Sequence, residues 1–213
     1  MTIQPYGEQA LLVEFEAQIT PQINDQVLQL AAAIEAQSWP FVAYLIPAYC
    51  SLTVGFRQTS YAAVSAIIRE LWEDLPPEAS IPSKRVEIPV SYRTEHALDK
   101  EEVMRSTDLS WADIVELHST AVYRVYMLGF LPGFPYLGKL PDALKVERLD
   151  VPRTRVPALS VGLAGWQTGI YPFEAPGGWL IIGKAQLPVF NPQQEDPFLL
   201  KAGDEVVFKA VEW

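Results

Sequence analysis

The chain is poor in the residues that most often carry chemistry: its 213 residues include one cysteine, Cys50, and two histidines, His96 and His118. A single thiol closes no internal disulfide, and its place in the apolar run Ala48–Phe56 predicts a buried structural sulfhydryl. The two histidines have no cysteine companion and lie too far apart for a helical ligand pair, so no protein-bound metal is expected. There is no Gly-x-Ser-x-Gly run. Ala158-Leu159-Ser160-Val161-Gly162 lacks the first glycine, which excludes a nucleophile elbow and leaves Ser160 as a strand-edge residue. Nowhere do about eighteen apolar residues run uninterrupted, as a membrane-spanning helix requires. The start, Met1 to Phe15, has no basic segment followed by an apolar one. Neither membrane insertion nor export is expected, and the expected location is the cytoplasm. Lys and Arg number 16 against 26 Asp and Glu, and a net charge of −10 repels phosphate backbones, so nucleic acid is not an expected partner.

What is present suffices for a core without staples, because 49% of the residues are hydrophobic and 11% aromatic. Strands are predicted at Ile3–Tyr6 and Ala10–Phe15, the second with Leu11, Val13 and Phe15 on one side. Thr20 then reads as an N-cap with Pro21 at the first helical position, where a missing N–H costs nothing. Ile23, Val27, Leu30 and Ile34 recur at helical spacing until Ser38-Trp39-Pro40. Strands follow at Phe41–Ile46 and Cys50–Phe56. Ser60 caps a second helix with Tyr61, Val64, Ile67, Ile68, Leu71 and Leu75 as its buried stripe. The order β-β-α-β-β-α describes an α+β domain over residues 1–80, and the proline-rich stretch Leu75–Ser83 reads as a linker.

A second domain is expected over residues 85–213. It opens with a strand at Val86–Tyr92, a short helix at Leu98–Arg105, and a helix from Ser110 with Asp113 spaced as in a capping box. Short apolar strands at Val122–Phe130, Ser160–Trp166, Gly178–Gly183 and Glu205–Val211, separated by Gly/Pro turns, predict a compact β-barrel. Gly133 to Leu140 has the spacing of a phosphate-binding loop but cannot act as one. Phe134, Pro135, Tyr136 and Leu137 fill it, Pro135 removes a donor, and Pro141 follows where a helix is needed.

Two groups of residues stand out as site candidates. In Pro152-Arg153-Thr154-Arg155-Val156-Pro157 two guanidinium groups are held between prolines and suit two-point gripping of carboxylate or phosphate, although salt bridges within the chain explain them equally. The loops from Gly129 to Tyr136, from Gln167 to Pro172 and from Pro176 to Trp179 concentrate Gly, Pro and aromatic residues, a composition suited to a ligand pocket or a protein interface. His118, near a helix C-terminus, is expected to meet free backbone carbonyls there.

These residues resemble a known family. Pro5-Tyr6-Gly7-Glu8-Gln9-Ala10, Ile46 to Leu52, Leu117-His118, Gly129 to Gly138, Pro152-Arg153, Gln167 to Pro172, Pro176 to Trp179 and Gly203-Asp204 occur in this order along nearly the whole length. The chain resembles the family of the B-type subunit of 5-oxoprolinase, allophanate hydrolase subunit 1 and a sporulation histidine-kinase inhibitor. The resemblance implies an N-terminal α+β domain followed by a cyclophilin-like β-barrel domain. It also implies a companion subunit with a related barrel, similar to allophanate hydrolase subunit 2, and in the oxoprolinase case a third subunit. The implied activity is ATP-dependent opening of 5-oxoproline to glutamate, with no covalently bound cofactor and with ATP and magnesium acting at the level of the complex. A kinase-inhibiting role, or a place in an allophanate or urea amidolyase system, is implied as an alternative. Arg153 and Arg155 are the expected anion contacts. His118, Gln167 and Tyr171 are expected to shape or polarise the pocket. Phe130, Gly133, Phe134, Tyr136, Pro176, Gly177, Gly178 and Trp179 are expected to form its walls or a partner-facing surface. This sequence departs from the family pattern at His96-Ala97-Leu98-Asp99, at Leu159 where glycine is usual, and at Gly183-Lys184-Ala185.

Overall fold

The computed structural model describes residues 1–76 and 82–212. The middle of the predicted linker, residues 77–81, lies outside them. The chain forms two compact units, Met1–Pro82 and Ser83–Trp213.

In the first unit β1 (Thr2–Pro5), β2 (Ala10–Glu14), β3 (Val42–Pro47) and β4 (Ser51–Phe56) make an antiparallel sheet in the order β1-β2-β4-β3. Helices α1 (Pro21–Gln37) and α2 (Tyr61–Asp74) cover one face. Both begin where the local chemistry predicts, since Thr20 Oγ1 accepts from Ile23 N–H and Ser60 Oγ from Ala63 N–H, each at 3.3 Å. Ile23, Val27, Leu30 and Ile34 are all buried, the last three packing with Leu11, Val13, Leu52 and Val54. Of the α2 stripe Val64 and Ile68 are buried, while Tyr61, Leu71 and Leu75 pack at its margin. Cys50 is only partly buried. It falls in the β3–β4 turn, closed by Ala48 N–H to Ser51 O at 2.8 Å, instead of inside a strand.

The second unit contains β5 (Arg85–Ser91), α3 (Lys100–Thr107), α4 (Trp111–Thr120) and β6 (Val122–Leu128). Then come β7 (Pro135–Gly138), β8 (Arg153–Val156), β9 (Ser160–Ala164), β10 (Gln167–Ile170), β11 (Ala175–Gly177), β12 (Leu180–Ala185) and β13 (Glu205–Glu212). Seven strands close into a barrel in the order β10-β7-β6-β13-β5-β12-β9, the circuit completed by β9 pairing with β10. β8 and β11 form a separate two-stranded ribbon. The segment with phosphate-loop spacing contains β7, a strand that pairs with β6 and β10, and is followed by a single 3-10 turn at Asp142–Leu144. The sequence pattern predicts none of β7, β8, β10 and β11, and the segments that read as loops at Gln167–Pro172 and Pro176–Trp179 are in part strand. Each of these strands is three or four residues long, too short for its own periodicity to show.

Strand alternation gives the unit two cores. Val161 and Leu163 of β9, Ile170 of β10, Leu137 of β7, and Leu180 and Ile182 of β12 belong to the main barrel core. The alternate positions Ala164 of β9 and Ile181 of β12 belong to a second cluster with Phe134, Tyr171, Trp179, and Val156 and Ala175 of the ribbon. Because successive side chains point to opposite faces, this second cluster lies on the outer surface of the wall, under the ribbon.

His118 does not turn to the helix-end carbonyls as expected. Its own carbonyl accepts from the Tyr123 hydroxyl at 3.0 Å, and its fully buried ring stacks on Phe208 with centroids 4.6 Å apart. Thr168 Oγ1 donates its one proton to Gly162 O at 3.0 Å, so it accepts from His118 Nε2–H at 3.0 Å. Nδ1 is then the acceptor for the Tyr92 hydroxyl at 2.7 Å. Burial of this neutral ring lowers its pKa from 6.5 to about 3. A base held neutral in the fold contributes stability that is complete above the unfolded value and is lost as pH falls from 6.5 toward 3. Below pH ~6 this residue is expected to remove up to about 1.4 kcal/mol per pH unit. Urea midpoints measured from pH ~6 to ~4 should therefore fall more steeply for the parent than for His118→Gln.

Candidate functional site

The outer-wall cluster is built around Phe134. Its ring meets Phe130, Tyr136, Tyr171 and Trp179 edge-on at centroid distances of 5.7, 5.0, 5.2 and 5.3 Å. Edge-to-face pairs set the positive rim of one ring against the negative face of another, which fixes the rings' mutual angles. The rings reach the wall because β10 has no side chain at Gly169. A Cβ there would lie 2.9 Å from Phe134 and 2.8 Å from the Pro135 carbonyl. Likewise a Cβ on Gly177 would overlap the Tyr171 hydroxyl. The Pro176-Gly177-Gly178 segment can therefore fold over Tyr171 only with glycine at its centre.

Between these rings and the ribbon is a cavity of about 250 Å³. It is lined by Phe130, Phe134, Tyr136, Tyr171, Pro176, Gly177, Gly178 and Trp179, together with Arg148 and Pro152. Three separate aromatic loops are thus brought to one place. Phe134, Tyr171 and Trp179 are buried in the cavity wall, whereas Phe130 stands at the rim 60% exposed. Phe130 also holds a left-handed backbone at φ 66°, a conformation that costs a bulky residue about 1–2 kcal/mol. Gly133, in the same loop at φ 80°, lies against Phe190 and does not line the cavity. Leu159 also sits at φ 66°; its N–H donates to Tyr171 O at 2.7 Å.

The expected catalytic residues separate. Arg155 has a side chain 76% exposed and gives its fork to Glu174, with Nε and Nη2 each 2.9 Å from a carboxylate oxygen. Arg153 pairs through Nη2 with Asp99, and its Nη1 is buried with no hydrogen-bond partner among the described residues. The Asp99 carboxylate also accepts from Ile181 N–H at 2.6 Å, and Asp99 N–H donates to Ile181 O at 3.0 Å. Neither arginine lines the cavity. Both guanidinium groups, expected as anion contacts, thus have a carboxylate partner within the chain. Gln167 opens β10 opposite Gly138 and does not line the cavity. His118 lies in the main core.

A third arginine of this region, Arg148, is placed differently. It lies between the 3-10 turn and β8, lines the cavity, and has no carboxylate partner among the described residues. Burial raises the pKa of the Tyr136 and Tyr171 hydroxyls, and the positive charge of Arg148 draws both partly back. Both phenols are therefore neutral near pH 7. Sequence reading missed Arg148 and Asp99, because neither stands in a motif with a chemistry of its own. Among the described residues no group of three or more His, Cys, Asp or Glu could hold a metal ion, and no helix is long and apolar enough to cross a membrane.

An α+β unit and a closed barrel with an aromatic recess on its outer wall place the chain in the carboxyltransferase-domain class. The family model "carboxyltransferase domain, subdomain C and D" matches residues 1–200. The protein named as the B-type subunit of 5-oxoprolinase in Escherichia coli O157:H7 is 41% identical over 95% of this chain and 92% of its own length. Proteins of the same name from Bacillus subtilis and Haemophilus influenzae are 38% and 37% identical over 97% and 98% of this chain, and over 91% and 97% of their own lengths. The chain belongs to the carboxyltransferase-domain family that contains these 5-oxoprolinase subunits. Among solved structures, a conserved uncharacterized protein from Pyrococcus horikoshii is 41% identical with a TM-score of 0.59, covering 99% of this chain and 98% of that one. A longer solved chain is 37% identical with a TM-score of 0.85; the match covers 96% of this chain, which spans only 40% of that one. The urea amidolyase of K. lactis, at 17% identity and a TM-score of 0.81 over 99% of this chain and 15% of its own, shares the fold.

Proposed function

We propose that this chain is the B-type subunit of a multi-subunit, ATP-dependent 5-oxoprolinase, and that its outer-wall pocket contributes to opening the 5-oxoproline lactam to glutamate. The observation that carries this reading is the 37–41% identity to 5-oxoprolinase subunits of that type, extending over nine-tenths or more of both partners. A subunit so named acts with companions; the partner proposed here is a subunit with a related barrel, joined by a third subunit, in the cytoplasm.

A lactam is inert at neutral pH until its carbonyl is activated. In the proposed sequence the γ-phosphoryl group of ATP passes to the carbonyl oxygen with loss of ADP. Water adds to the activated carbon, and the C–N bond breaks as the nitrogen takes a proton, leaving an acyl phosphate. A second water then releases phosphate and glutamate. ATP and magnesium are assigned to the assembled complex, since the one loop here with phosphate-loop spacing is occupied by a strand. This chain's pocket supplies apolar walls that exclude water and neutral phenolic donors.

The test is coexpression with the two companion subunits, followed by measurement of glutamate and ADP formed from 5-oxoproline. Turnover should require all three chains; turnover undiminished without this one would overturn the reading. Within that assay Phe130→Gly is the informative variant. Relief of the left-handed strain should keep its stability within about 1 kcal/mol of the parent. Its turnover should fall by about tenfold, because the rim of the pocket is gone.

A further inference from the structure

We propose that Arg148 is the carboxylate-binding residue of the outer-wall pocket, and that the pocket takes a small planar molecule bearing one carboxylate. Three arginines lie close to this region in the sequence, and their partners sort them. Arg155 is held by Glu174 on the surface, and Arg153 is held by Asp99 against the barrel wall. Arg148 alone of the three reaches the cavity, and no carboxylate answers it among the described residues. An unpaired guanidinium over an apolar cavity is poised for a ligand anion, because its fork offers two parallel N–H donors and its charge adds to each bond.

The rest of the lining determines the kind of ligand. Phe134, Tyr136 and Trp179 line the cavity with aromatic rings, a lining suited to a flat body, and the Tyr136 and Tyr171 phenols belong to the same cavity. A space of about 250 Å³ matches a single five- or six-membered ring with its substituent. The choice of a lactam carboxylate among such molecules rests on the proposed oxoprolinase function.

The experiment is calorimetric binding to the full chain with two matched pairs of probes. 5-Oxoproline is compared with 2-pyrrolidinone, the same ring without the carboxylate, and benzoate with benzamide. The parent should prefer the charged member by about tenfold or more, as a charge-assisted two-point contact implies. Arg148→Gln should bring that ratio to about one while leaving the affinity for the uncharged members within about twofold, and Arg148→Lys should keep part of it. Arg148 is exposed and has no ion-pair partner among the described residues, so these variants should fold as the parent does. A charge preference that survives Arg148→Gln, or a parent that binds neither pair, overturns the proposal. If benzoate shows the Arg148-dependent preference while 5-oxoproline does not bind, the anion site stands and the 5-oxoproline reading loses its support.

Discussion

Replacing Asp99 by alanine should destabilise the barrel unit by about 3–5 kcal/mol, a large share of the stability of an ordinary domain. Asp99 has a side chain only 5% exposed and serves two partners at once. One oxygen accepts from Ile181 N–H at 2.6 Å and the other pairs with Arg153. Removing the carboxylate leaves a partly buried guanidinium without its counter-charge, and a backbone donor on β12 without an acceptor. The penalty is then the desolvation of both groups and not the modest value of a surface pair. Asp99→Asn retains an acceptor for Ile181 but no charge for Arg153, so it should fall between parent and alanine. The double variant Asp99→Ala/Arg153→Ala should cost less than the sum of the single changes, because each single change strands the other's partner. Urea unfolding curves for the four proteins form the cycle. A loss under about 1 kcal/mol for Asp99→Ala would show that solvent already satisfies these groups.

Phe134→Ala should be comparably damaging, at about 3–5 kcal/mol. The ring is 1% exposed and touches four other aromatic rings, so truncation opens a void that the stiff neighbours cannot fill. Phe134→Leu keeps much of the volume and should cost about 1–2 kcal/mol. Its effect on the pocket should be larger than that figure suggests, because leucine offers no edge to hold Tyr136 and Trp179 at their angles. Thermal unfolding followed through the tryptophan signal separates the two readouts: Phe134→Leu should remain folded at 25 °C and yet bind the charged probes weakly. An unchanged melting temperature for Phe134→Ala would remove Phe134 from the centre of the cluster.

The two changes test different supports of one site. Asp99 anchors the segment before α3 to β12 and holds Arg153 in place, whereas Phe134 fixes the rings that make the pocket. Leu159 adds a third constraint. Its left-handed backbone sets the approach to β9, where its N–H meets the carbonyl of Tyr171, the residue after β10. Nothing in the structure explains why leucine stands there instead of glycine, beyond its partial packing against the main core.

Helices α1, α2 and α4 were determined by the sequence alone, because a capping hydroxyl and an apolar stripe are local signals that act within one or two turns. The long barrel strands β6, β9, β12 and β13 were likewise legible as apolar runs between Gly/Pro turns, and the aromatic residues of the pocket could be named from their loops. Only the tertiary structure decided that β7, β8, β10 and β11 are strands, since segments of three or four residues are held extended by ladder partners and not by their own preference. It also decided which cations are available. Arg153 and Arg155 share one short motif, yet each is neutralised by a carboxylate far along the chain, Asp99 at 54 residues and Glu174 at 19, while Arg148, which no motif marks, reaches the cavity unpaired. Charge pairing depends on distance in space: the β8–β11 ribbon sets Arg155 beside Glu174, and the bond from Asp99 to Ile181 of β12 holds its carboxylate where Arg153 meets it.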